Sequence, residues 1–266
     1  MSAHRTNKRL TVPTIRRMKG GDKIVSLTAY SAWMARLIDS VTDVLIVGDS
    51  MAMVEYGMSS TLGLPLDTVI GHCAAVDRVR QRPLLVCDLP FASFERSPQQ
   101  AYESAARVIA EGGADAVKLE CTEAMAETVA FLVQRGIPVM SHIGLMPQHV
   151  NAQGGFRRQG KGKTASSELV KQAKMMAHAG AFSLLLEGIY SETADLVTKS
   201  VTVPTIGIGA SLGCDGQVLV TEDILGLTGD DIPGFARIYQ DLKPGIEEAA
   251  ARFADDVREG LFPQDS

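Results

Sequence analysis

"DVLIVGDS", residues 43–50, carries four apolar residues, Val44 to Val47, straight through Gly48 into Asp49 and Ser50. An apolar run of this length suits a strand buried on both faces, and such strands belong to parallel sheets wrapped by helices. A carboxylate at the end of a buried strand needs a partner, because an unpaired charge taken out of water is costly. The stretch raises two questions: whether other strands of this kind exist, and what Asp49 holds.

The pattern recurs along the chain. It is found in KIVSLTA (23–29), PLLVCDL (83–89), DAVKLE (115–120), IPVMSHI (137–143), FSLLLEG (182–188), VPTIGIG (203–209) and, more weakly, GQVLV (216–220). Each run is followed by a helix-like stretch with its own punctuation. Ser97-Pro98 reads as a cap and first-turn proline, and Thr122 and Ser191 read as caps ahead of acidic first turns. Gly112-Gly113 and Arg135-Gly136 read as stops. Eight β/α units in 266 residues predict an α/β fold, a single (β/α)8 TIM barrel, with a doubly wound open sheet as the alternative. No linker or low-complexity segment interrupts the chain, so residues 1–266 read as one barrel domain behind a basic leader at about 1–20. A short amphipathic turn is expected in that leader around residues 12–18.

Composition narrows the class of protein. Apolar residues make up 45% and charged residues 21%, an ordinary balance for a globular chain with a large core. A net charge of −5 provides no basic field for phosphate backbones, so nucleic acid is not an expected partner. No apolar run approaches the ~20 residues of a membrane span, and the leader lacks an apolar signal region. Cys73, Cys87, Cys121 and Cys214 are scattered without a CxxC pair, which suits reduced thiols and a cytoplasmic location rather than disulfides or zinc.

In such a barrel the chemistry gathers where the strands end. Those ends carry Asp49-Ser50, Asp88, Lys118 with Glu120, His142 and Glu187. Side chains alternate along a strand, so Lys118 and Glu120 point the same way. A lone strand-end aspartate commonly caps a helix, and Lys118–Glu120 alone could be a structural ion pair. Several acids on one mouth change that reading: they must bind a cation or change protonation. An all-oxygen donor set points to Mg²⁺ or Mn²⁺. His142 reads as a hydrogen-bonded supporting residue, and His72 as packed. IGIGAS (206–211) fits either a phosphate cradle or close packing. Two connections are long, 50–65 and 144–167, and the second is rich in Gly, Gln, Lys and Arg, as a functional lid or a surface insertion would be.

LIVGDSMAM (45–53), STLGLPLD (60–67), CDLPF (87–91), AVKLE (116–120), HIGLMPQ (142–148), GGFRRQGK (154–161), LLLEG (184–188), IGIGA (206–210) and CDGQVLVTEDILGL (214–227) occur in this order. Together they resemble the ketopantoate hydroxymethyltransferase family over roughly residues 10–260. The resemblance implies a (β/α)8 barrel that assembles into a large homo-oligomer, with a decamer as one such size. It implies transfer of a hydroxymethyl group from 5,10-methylenetetrahydrofolate to α-ketoisovalerate, giving 2-dehydropantoate in pantothenate biosynthesis. It further implies Asp49 and Asp88 as Mg²⁺ ligands that also contact substrate, Glu120 as an acid near the metal, Ser50 and Lys118 as keto-acid contacts, and Glu187 as proton acceptor. After LTAY (27–30) the family often has Asp where this chain has Ser31, and Met146 stands where Thr is common.

The implied reaction suits these residue types. A proton on C3 of a keto acid lies about ten pKa units or more above a carboxylate base, at ~1.36 kcal/mol per unit. General-base help alone supplies only ~10²–10⁴-fold. A metal-stabilised enolate is therefore expected. Rival readings are a lyase or mutase of the phosphoenolpyruvate type, which often carries a reactive loop cysteine, and a barrel that has lost catalysis. Neither long loop here contains a cysteine, and a dead site has no reason to keep so many acids together.

Overall fold

The computed structural model describes residues 9–229 and 232–263. Residues 1–8 of the expected leader lie outside that range. The chain forms two compact units, Met1–Val218 and Leu219–Ser266. In the first unit the strands are β1 (Ile24–Thr28), β2 (Val44–Val47), β3 (Leu84–Asp88), β4 (Ala116–Glu120), β5 (Val139–Gly144), β6 (Ser183–Glu187) and β7 (Thr205–Ile208), followed by β8 (Gly216–Leu219). They close into a barrel in chain order, with parallel pairing from β1 through β8, which removes the open-sheet alternative. Each strand starts and ends within two residues of its apolar run.

Alternation along the strands builds two cores. Ile46, Val86, Ala116, Met140, Leu185 and Ile206 pack together inside the barrel, and Leu45, Leu85, Val117, Leu119, Leu184 and Leu186 face the helices. The helix Val12–Arg17 is the expected amphipathic turn; it places fully buried Ile15 in the interior cluster. Ser97 caps Pro98–Ala110 by accepting from the Gln100 N–H at 3.2 Å, and Gly113 and Gly136 end their helices at φ +74° and +84°. Ser191 is not a cap. It is the first residue of the helix Ser191–Ser200, and its hydroxyl donates to the Ala210 carbonyl at 3.0 Å. The long connection is also shorter than its composition suggests. Helix Gly162–His178 takes up 162–167, because the Gly-Lys-Thr-Ala-Ser-Ser run is polar on the outside yet leads into buried Leu169, Ala173 and Met176. Before it lie a 3-10 turn, Pro147–His149, and a single helical turn, Val150–Gln153.

Asp215 anchors the strand starts. It pairs with Lys19 at 2.9 Å and accepts from the backbone N–H groups of Gly20 and Thr205. Burial works against its charge, but Lys19 and these donors outweigh that and hold the carboxyl below its ordinary pKa. A depressed acid contributes stability above its unfolded value, ~3.9, and loses it as pH falls through the lower folded value. Wild type should therefore outlast Asp215→Asn in urea at pH 7, and the gap should shrink below about pH 4. A gap as wide at pH 3 as at pH 7 would refute this.

The second unit holds a helical turn, Thr221–Ile224, and the helix Lys243–Arg258, which buries none of its residues. No helix among the described residues is long and apolar enough to cross a membrane. All four cysteines are buried and free, as the scattered spacing predicts.

Candidate active site

The site is built on the interior face of consecutive strand ends. Lys118 and Asp88 are register partners on β4 and β3, and Lys118 Nζ lies 2.9 Å from Asp88 Oδ2. Glu120 and His142 are the corresponding partners on β4 and β5, and Gly144 pairs with Glu187 across β5 and β6. Parallel pairing and a period of two thus bring together the lysine, three of the acids and the histidine named from sequence.

Asp49 and Ser50 enter from the turn after β2. The Asp49 N–H donates to Asp88 Oδ2 at 3.1 Å. A Cβ at Gly48 would meet Ser50 Oγ at 2.8 Å and lie 3.5 Å from Asp88 Oδ2, so a larger residue there would push Ser50 aside. Ser50 Oγ is in turn 2.7 Å from the hydroxyl of Tyr30, a buried residue just past β1 that the motif strings overlook. Ser31, at the position where the family often has Asp, caps the helix Ala32–Ile38 by accepting from the Met34 N–H. His72 is held by hydrogen bonds to Tyr56 and the Tyr30 carbonyl, and takes no part in the mouth.

Burial sets the charge states. It disfavours the Lys118 ammonium, but Asp88, Asp49 and Glu120 outweigh it and raise the lysine's pKa, so Lys118 stays charged. Burial also raises Asp88, with Asp49 pushing the same way and Lys118 opposing. Glu120 is pushed well up by burial and by Asp49. His142 is held below its ordinary value by burial and then by Lys118, so its ring is neutral at pH 7. Lys118 Nζ approaches His142 Nδ1 at 3.5 Å, and Nε2 lies 3.3 Å from Glu187 Oε2. The tautomer that suits both neighbours accepts at Nδ1 and carries its proton on Nε2, toward Glu187. That second contact has an ion-pair distance but not hydrogen-bond alignment, leaving buried Nε2 unsatisfied until Glu187 turns toward it. Glu187 has room to turn: its side chain is 21% exposed, against 2% for Glu120 and 3% for Asp88.

Sequence reasoning missed Gln148. This side chain lies beyond the strand ends, in the long connection, and donates to Asp49 Oδ2 at 2.8 Å. Nothing in a non-periodic loop marks one glutamine over another. Gly144, at φ +102°, starts the turn that carries the chain to it, and a Cβ there would strike the Glu187 carbonyl. At the other end of the connection Gln159 bridges to Ile189, and the Arg158 guanidinium lies over the Tyr190 ring at 4.7 Å. Gly207, within the glycine-rich run, sits where a Cβ would come within 3.1 Å of Cys214 Sγ, so close packing accounts for it.

The donor set fits a hard cation. Asp88 Oδ1 is buried without a hydrogen-bond partner, and the neighbouring donors are carboxylate oxygens. Among the described residues, no three His, Cys, Asp or Glu side chains close on one point. That is compatible with Mg²⁺, which takes one or two protein carboxylates and fills its shell with water and substrate.

Residues 9–265 match the sequence profile of ketopantoate hydroxymethyltransferase. A Pseudomonas aeruginosa protein named 3-methyl-2-oxobutanoate hydroxymethyltransferase 1 is 52% identical over 99% of this chain and 97% of its own length. One of the same name from Hahella chejuensis is 53% identical over 99% and 95%. Solved structures with the same barrel include a putative lyase/mutase from Burkholderia cenocepacia, with a TM-score of 0.62 at 18% identity over 93% of this chain and 88% of that one. Phosphoenolpyruvate phosphomutase from Streptomyces platensis gives 0.62 at 12% identity over 94% and 88%. At such identities the likeness is one of fold.

Proposed function

The chain belongs to the ketopantoate hydroxymethyltransferase family and is an enzyme of that family, and from this premise we propose that it transfers a hydroxymethyl group from 5,10-methylenetetrahydrofolate to 3-methyl-2-oxobutanoate (α-ketoisovalerate). The product is 2-dehydropantoate, on the way to pantothenate. The observation that carries this reading is the mouth itself: a charged, buried lysine against Asp88, with Asp49 alongside and a more exposed glutamate reached by a neutral histidine. That arrangement suits proton abstraction next to a carbonyl. The reaction needs no nucleophilic serine or cysteine, and Ser50 is engaged by the Tyr30 hydroxyl.

Asp49 and Asp88, with Glu120 beside them, would hold a Mg²⁺ ion. Bound there, the ion supplies Lewis-acid stabilisation to the oxygens of a 2-oxo acid. Lys118 and Ser50 contact the keto acid, and the lysine adds fixed positive charge where negative charge builds up. Glu187 takes the C3 proton. His142 Nε2–H steadies the Glu187 carboxylate as it turns, and because His142 stays neutral it does not surrender a proton to the base. Water cleaves the one-carbon unit from the folate nitrogens, releasing tetrahydrofolate and formaldehyde. C3, freed of its proton, then adds to the formaldehyde carbon, and the alkoxide formed takes a proton back from Glu187 to become the new hydroxyl. A coupled assay for tetrahydrofolate release, run with and without Mg²⁺, tests the whole reading; no release under either condition would reject it.

The 145–161 connection is proposed to act as a lid. Its two ends are already tied down, by Gln148 and by the Gln159–Ile189 bridge, while the middle carries Gly154 and Gly155 at positive φ and exposed Phe156 and Arg157. Adding keto acid and folate together should slow hydrogen exchange chiefly at 150–158. Identical exchange with and without substrates would rule out a lid.

A further inference from the structure

Gln148 makes four hydrogen bonds to three successive strand ends. Its backbone N–H donates to both carboxylate oxygens of Glu120 at 3.1 Å, at the end of β4. Its side-chain Nε2 donates to Asp49 Oδ2 at 2.8 Å, just past β2, and to the Leu89 carbonyl at 3.0 Å, just past β3. The residue is 6% exposed.

The amide can face only one way. Turning it over would set Oε1 against a carboxylate oxygen and a carbonyl oxygen, two acceptors with nothing to donate. Oε1 is therefore forced to the opposite side, where it is buried and has no hydrogen-bond partner, as Asp88 Oδ1 is also. The residue type matters equally. Asp49 and Glu120 repel one another and need donors to keep them in place. A lysine or arginine would supply donors but would also compete with a divalent cation for the same oxygens. A neutral amide orients the acids and leaves their charge available.

We infer that Gln148 is a positioning residue for the cation site, setting the orientations of Asp49 and Glu120. Because Gln148 belongs to the 145–161 connection, seating that segment and assembling the carboxylates become one event. Cation binding and loop order are then linked, each favouring the other to the same degree. The inference rests on the reading that Asp49 and Asp88, with Glu120 beside them, hold the cation.

The test uses the full chain and Mg²⁺ alone. Gln148→Met keeps the length of the side chain and removes its amide, while the backbone bond to Glu120 stays. Titration calorimetry should show Mg²⁺ binding weakened ~10–100-fold, the loss usual when a group that orients a metal ligand is removed. Mg²⁺ should slow hydrogen exchange at 147–153 in wild type and lose that effect in the variant. A purely structural role would lower the melting temperature and leave the Mg²⁺ affinity of the folded protein unchanged; that result overturns the inference. Gln148→Ser, which is smaller and polar, serves the same measurement if Gln148→Met does not fold. Asp88→Asn is the control, since no hydrogen bond joins Asp88 to Gln148. Loss of Mg²⁺ binding in Asp88→Asn with wild-type binding in Gln148→Met would remove the positioning role and keep the cation site. Wild-type binding in both would remove the cation site as well.

Discussion

Asp49→Ala and Asp88→Ala are each expected to bring Mg²⁺-dependent turnover down by about 10³-fold or more, the cost of losing several kcal/mol of Lewis-acid stabilisation. The two variants should differ in stability. Asp88 faces the Lys118 ammonium at 2.9 Å with both side chains buried. Removing one partner of such a pair leaves an uncompensated charge, a loss of about 3–5 kcal/mol. Asp49 instead accepts from the neutral Gln148 amide, and losing one such bond costs about 1–3 kcal/mol. Asp88→Ala should therefore melt earlier than Asp49→Ala, while Asp88→Asn, which keeps the shape, should fold and still fail to bind Mg²⁺. Calorimetric titration of both positions decides the matter: unchanged Mg²⁺ affinity in Asp49→Ala and Asp88→Asn would mean that the cation lies elsewhere.

Glu187→Gln separates chemistry from binding. With Glu187 as the base, wild type in D₂O with Mg²⁺ and no folate should wash deuterium into C3 of α-ketoisovalerate, seen as loss of the methine signal by proton NMR. On the proposed mechanism proton removal does not await the one-carbon donor, so exchange should run without it. The amide of Gln keeps the shape of the carboxylate and loses its basicity, so exchange should fall ~10²–10⁴-fold while keto-acid binding survives. Chelating Mg²⁺ should also stop exchange, because a carboxylate alone is many kcal/mol short of removing such a proton. Exchange at the wild-type rate in Glu187→Gln would move the base elsewhere. His142, 3.3 Å from Glu187, would be the first candidate.

The barrel was legible because its signal is local. A strand buried on both faces must be apolar at nearly every position, and eight such runs, all but the seventh followed by a helical segment, leave little else for the chain to do. The acids were legible for a related reason. Asp49, Asp88, Glu120 and Glu187 break otherwise apolar runs, and an acid that interrupts a buried strand is visible without any knowledge of its neighbours. Local punctuation was a weaker guide. Ser191 has the composition of a cap, but its hydroxyl is claimed by the Ala210 carbonyl from another part of the chain. The start of helix Gly162–His178 was hidden because its first six residues carry no large apolar side chain and take their place from Leu169, Ala173 and Met176 further along.

By itself, then, the sequence determined the eight-stranded barrel and the set of strand-end residues from which a site could be made, since both follow from which side chains tolerate a dry interior. Tertiary structure decided the pairings. Lys118 could have turned to Glu120 on its own strand, yet register across β3 and β4 sets it against Asp88. His142 lies between two acids, with Nδ1 3.9 Å from Glu120, its register partner, and Nε2 3.3 Å from Glu187 on the next strand. Gln148 carries no periodic signal, and only the turn begun at Gly144 brings its amide onto Asp49 across 99 residues of chain. Such contacts depend on distances between segments remote in sequence. Closure of the barrel sets those distances, and no window along the chain contains them.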